Sequence, residues 1–182
     1  FTDNEVSEIE KMIHYVDDRV VEETGNKDID QAYHQFLDTL LHSMYGDRDP
    51  TYLAPFEEEE KYKFLKSLDT AVFNEFWDIR RARKAVYQDS VYEHGYQSID
   101  LNHRGRYSDY LEKIGEHDTY YQSMKETLDF AAGLSPTIVA RFLKMHSDFD
   151  FTIPKNRLWA AVFILSMEEP HNKKMERYLN QK

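Results

Sequence analysis

The chain has 182 residues, 41% hydrophobic and 14% aromatic, with 13 Tyr and 11 Phe, a content that argues against disorder although 31% of residues are charged. It has no Cys, which excludes a disulfide scaffold and any thiolate-ligated zinc site. Its net charge of −11 argues against nucleic acid as a partner, because phosphates would be repelled.

The length suits a single domain spanning 1–182, and 6 Gly with 5 Pro are too few turn residues for an all-β chain. The longest apolar run, 158–165, is far too short for a transmembrane segment. The chain opens on Phe1 rather than Met, so a removed signal peptide is compatible with it and the compartment stays open.

In chain order, a first helix is expected over 4–24, with Val6, Ile9, Ile13, Val16 and Val20 on one stripe and Gly25 as the stop. A second follows over 28–45, with Phe36, Leu40 and Met44 among its apolar positions, and 46–50 reads as a loop. A third helix starts near Pro55 and runs through Leu65, Leu68, Val72, Phe76 and Ile79, as far as Val91 with a break. Residues 94–106 read as a loop. A fourth helix covers 108–132, tolerating Gly115 and ending at Gly133. Ser135-Pro136 marks an N-cap and first-position proline for a helix to about His146. Pro154 opens a helix that is apolar on every side over 158–165, and Pro170 separates it from a short terminal helix to about Leu179. The expected fold is all-α: a compact bundle of about six to seven helices around a buried apolar helix at 156–168.

Candidate chemistry is sparse. His34, Asp38 and His42 share one helix face, but that face lies opposite the apolar stripe and reads as solvated rather than metal-binding. Glu75, His117 and His146 instead fall on or near apolar stripes of three helices. One carboxylate and two imidazoles form a ligand set for non-haem iron or zinc, and equally a core polar network. A basic island, Arg80, Arg81, Arg83 and Lys84, with Arg104 and Arg106 after it, is expected mostly to pair with the acidic first third. Residues 1–60 carry 17 acids against 4 basic residues, a net of −13.

Tyr87, Tyr92, Tyr96, Tyr107, Tyr110, Tyr120 and Tyr121 crowd one stretch, and tyrosine supplies the large amphipathic contacts that interfaces use. Glu57, Glu58, Glu59 and Glu60 suit the positive end of a helix dipole and could also steer a basic partner. The favoured function is therefore an acidic helical protein-binding module, such as an inhibitor, an immunity-type protein or an assembly subunit. No cofactor is called for. The partner is expected to be another protein, a basic one if charge steers it, or a second copy in a homo-oligomer. The alternative is a metal-dependent helical enzyme on Glu75, His117 and His146, although the paired carboxylate–His motifs of such bundles are missing.

Overall fold

The computed structural model describes residues 1–45, 54–81, 85–88, 90–92 and 96–180. The expected loop over 46–50 lies outside them. Helix α1 (Asp3–Thr24) starts at a capping box, in which Thr2 and Glu5 satisfy each other's backbone N–H groups. It stops at Gly25, whose φ of 67° is the left-handed C-cap conformation that costs glycine least. Ile9, Met12, Ile13, Val16 and Val20 form its buried stripe, whereas Val6 is exposed. Helix α2 (Ile29–Tyr45) packs on α1, and the Tyr33 hydroxyl donates to Asp17 Oδ1 across the seam at 2.8 Å.

The expected third helix is two short ones. Helix α3 (Glu58–Leu65) ends where Lys66 to Leu68 turn, and α4 (Thr70–Phe76) starts again at Asp69, whose carboxylate caps Ala71 and Val72. Beyond Phe76 the chain is extended rather than helical, in strands β1 (Trp77–Arg81), β2 (Ala85–Tyr87), β3 (Ser90–Tyr92) and β4 (Gln97–Leu101). β1 pairs antiparallel with β4 from Trp77–Leu101 to Arg81–Gln97, and β2 pairs antiparallel with β3 around Val86–Val91. The expected loop over 94–106 thus holds a strand, and the expected helical continuation to Val91 is wrong. Residues 85–92 hold two pairs of β-branched and aromatic residues, Val86-Tyr87 and Val91-Tyr92, which suit cross-strand pairing on a pleated ribbon better than a helical stripe.

The expected helix over 108–132 also divides, into α5 (Arg106–Gly115) and α6 (Thr119–Ala131), with Asp118 capping α6 through Tyr120 N–H. Gly115 is the contact that lets them close: a Cβ there would come 2.9 Å from Gln122 N and Cα. Helix α7 (Pro136–Met145) is capped by Ser135 as expected and runs into a 3-10 turn, His146–Asp148. Helix α8 (Pro154–Ser166) is buried at every position from 158 to 165, on all sides, and packs against α1. Helix α9 (His171–Asn180) follows Pro170. The described residues therefore hold nine α-helices and little sheet, more and shorter helices than the six to seven expected. No helix among them is long and apolar enough to cross a membrane.

Candidate functional site

Glu75, His117 and His146 have separate surroundings. Glu75 is half-buried and takes Arg106, accepting its backbone N–H at 2.7 Å and its guanidinium Nε at 3.1 Å. The same guanidinium grips Glu5 at 2.6 and 3.1 Å, which joins α1, α4 and α5. That contact holds the Glu5 carboxyl far below its usual range, at about 2. His117 is exposed in the turn between α5 and α6. His146 alone is buried, and its partners lie on α2. Among the described residues no three His, Asp or Glu side chains form a set that could hold a metal ion. The metal-enzyme alternative on these three residues loses its geometric basis.

The partners of His146 are a second correction. The face of α2 expected to be solvated carries His34 and Asp38, and both reach His146: Asp38 Oδ1 lies 3.0 Å from its Nε2 and His34 Nδ1 lies 3.0 Å from its Nδ1. His42 leaves the row, because its Nδ1 bonds its own helix at the Asp38 carbonyl, 2.7 Å away. A helical wheel places these residues on the polar side of α2 but cannot show that the turn after α7 lies against that side.

The tyrosines fall into two groups. Tyr107 is buried in the core against Phe76, so it belongs to no contact surface. Tyr121 is equally buried and donates to Asn156 Oδ1 at 2.9 Å. Tyr110 and Tyr120 pack half-buried on the core, Tyr120 edge-on to Phe149. Tyr87 and Tyr92 instead end β2 and β3, and Tyr96 stands just before β4, with Tyr87 and Tyr96 reaching α9. Tyr87 donates to Glu176 at 2.8 Å. His171 Nε2 donates to the Val86 carbonyl at 2.8 Å, a partner that only accepts, so its Nδ1 is free to accept the Tyr96 hydroxyl at 2.9 Å. One face of the β2–β3 ribbon is tied down, with Ala85 buried and Tyr87 and Tyr92 half-buried. The other presents Val86 and Val91, cross-strand partners that are 61% and 62% exposed.

The Glu57 to Glu60 run is likewise split. Glu57, Glu59 and Glu60 are exposed, whereas Glu58 is buried and pairs with Lys174 at 3.3 Å. Lys174 also binds Glu168 at 2.6 Å, Tyr62 donates to Glu168 at 2.7 Å, and Arg177 pairs with Glu169. This network fixes α9 to α3. Of the basic island, Arg80 pairs with Asp100 at 3.0 Å rather than with the acidic third; among the described side chains only Arg106 reaches that third as expected. Arg81, Arg83 and Lys84 lie outside the described side chains.

A cavity of about 310 Å³ opens between β4, α7 and the end of α8, walled by Met44, Leu101, Leu134, Val139 and Met167. Its polar groups are already engaged. Ser166 Oγ accepts from Trp77 Nε1 and donates to the Val162 carbonyl, and Asp100 bonds Leu101 N–H and Arg80. Orientation of a small ligand there would lack a committed polar anchor. No family model, curated protein or solved structure matches the chain.

Proposed function

We propose that the protein is an acidic helical binding module that grips another protein through the β2–β3 end of its ribbon, as an inhibitor, an immunity-type protein or an assembly subunit would. The observation that carries this reading is the Val86–Val91 pair. Two β-branched side chains stand opposite each other in solvent, on a ribbon anchored to α9 by His171 at the Val86 carbonyl and by Tyr87 at Glu176. Anchoring lowers the entropy lost on binding, and apolar surface held out on a fixed support suits a partner better than it suits water. Among the described residues β3 has no strand neighbour but β2, so its outer edge offers backbone groups for a further strand. Tyr87 and Tyr92 flank the pair in the ribbon, and Tyr96 follows β3 in the chain; all three can supply amphipathic contact area.

A photo-crosslinking residue in place of Val86 should capture one discrete partner, either a different protein or a second copy of the chain. Val91→Asp in the same background should abolish the adduct and leave the melting temperature unchanged, because residue 91 is exposed. An adduct that persists in the Val91→Asp protein would place the contact elsewhere and reject the reading.

A further inference from the structure

His146 is only 7% exposed, and both of its ring nitrogens are engaged from α2. Nε2 lies 3.0 Å from Asp38 Oδ1, and an ionised carboxylate only accepts, so this nitrogen carries a hydrogen. In the neutral ring Nδ1 is then a bare lone pair. It faces another Nδ1, that of His34, at 3.0 Å, so His34 supplies the hydrogen between them. The second nitrogen of His34 faces Asp30 Oδ2 at 3.6 Å. A neutral His34 would turn a lone pair toward that carboxylate, whereas an imidazolium gives its Nδ1–H to His146 and sets its charge at ion-pair distance from Asp30.

Charge and hydrogen bonding are thus best matched when the two rings together carry one extra proton, set between two carboxylates. A second extra proton sets N–H against N–H across 3.0 Å, and the contact must break. A shared metal ion is the other way to join two imidazoles, and the geometry disfavours it. Two rings on one ion converge on a point to one side, but here the ring centroids are 5.3 Å apart, so the facing nitrogens meet nearly head-on. No third ligand completes a set among the described residues.

We propose that His34 and His146 hold one proton in common between Asp30 and Asp38, and that this shared proton is a pH-operated latch closing the turn after α7 onto α2. The latch extends past the turn, because Asp30 also accepts the Phe151 backbone N–H at 2.7 Å and the Phe151 ring packs edge-on to His34. Other charged groups surround the pair. Asp150 lies beyond the turn, its carboxyl held low chiefly by Thr152 hydrogen bonds and in lesser part by the His34 charge. Asp17 on α1 holds the Tyr33 hydroxyl, and Lys144 and Asp148 sit exposed at the end of α7 and in the turn. None of them stands between the two rings.

The sign of the pH effect follows from counting protons. In the unfolded chain the two rings hold none well above about pH 6.5 and two well below it, whereas the latched pair holds one across that interval. Above this pH the folded state binds the extra proton, so lowering the pH stabilises it. Below this pH the unfolded state binds more, so lowering the pH further destabilises it. The pair contributes a stability maximum centred near pH 6.5, lost on both sides.

Two measurements on the full chain test this. With ¹⁵N-labelled imidazoles near pH 6.5, a through-hydrogen-bond coupling between the two Nδ1 atoms is expected. Melting temperatures of the parent, His34→Gln and His146→Gln from pH 5 to 8.5 should show a peak in the parent-minus-variant difference for both variants. Absence of the coupling, with two rings that titrate independently, would overturn the proposal, and so would a difference profile without the peak. Stoichiometric binding of added Zn(II) or Cu(II) that displaces the bridging hydrogen at neutral pH would overturn it in favour of a metal site. Should a variant fail to fold, the coupling in the parent protein decides.

Discussion

Lys61 shows what the α3–α9 network asks of a single residue. Its side chain is buried, and its ammonium donates to the Met167 carbonyl at 2.8 Å. Burial pushes its pKa from 10.5 down to about 8, only partly offset by the Glu168, Glu58 and Glu169 charges. A lysine depressed in this way favours the unfolded state wherever the unfolded chain holds its proton, because the folded state must then either bury the charge or give the proton up. Its cost is therefore full below about pH 8 and fades as the pH rises toward 10.5. The shift corresponds to a cost on the order of 3 kcal/mol. Between pH 8 and 10 the parent should gain stability with rising pH by denaturant titration, and Lys61→Met should flatten that rise. An unchanged slope in Lys61→Met would assign the pH dependence to other groups. At pH 7 the variant sheds the cost but leaves the Met167 carbonyl without its donor, a loss of about 1–3 kcal/mol, so the two effects oppose each other there.

Helix α8 sets the stakes at the scale of one element. Its residues from 158 to 165 are buried on every side, so no face remains on which a charge could reach water. Ile164→Asp should abolish cooperative unfolding, since an uncompensated buried charge costs several kcal/mol against a net stability of about 5–15 kcal/mol. A retained transition within a few degrees of the parent, by calorimetry or circular dichroism, would show that α8 is not central. This helix was legible in the sequence because an apolar run without a polar side has only one low-energy location. The stop at Gly25 and the helix starts at Ser135-Pro136 and Pro154 were legible because cap and first-turn chemistry is local, whereas the Thr2 capping box was not read. The ribbon was not: Trp77, Ile79, Val86 and Val91 fit a helical stripe loosely, and only pairing of 77–81 with Gln97–Leu101, and of β2 with β3, tips the balance toward strand. The polar seam was half legible. His146 stood out as a polar group on an apolar stripe, but His34 and Asp38 looked solvated because a helical wheel holds no information about which other element approaches.

At the scale of the whole molecule, charge sets how a partner arrives. The acidic first third keeps a surplus even though Glu5, Asp17, Asp38 and Glu58 find partners within the chain. Glu57, Glu59 and Glu60 stay exposed at the start of α3. If the partner captured at Val86 is basic, this surface attracts it over a range set by the Debye length, about 30 Å at 0.01 M salt and about 10 Å at 0.1 M. Association should then slow steeply as salt rises across that interval. The joint change Glu57→Gln, Glu59→Gln and Glu60→Gln should lower the on-rate and leave the off-rate nearly unchanged. Glu58 is excluded from the set because its carboxylate binds Lys174 inside the fold, and removing it would confuse steering with stability. A second copy of the chain reverses the sign. Two bodies of net charge −11 repel, so added salt would speed their association and the triple change would raise the on-rate. Stopped-flow measurement of the on-rate at two ionic strengths therefore distinguishes a basic partner from self-assembly. A rate indifferent to salt and to the triple change would confine these glutamates to their place at the positive end of the α3 dipole.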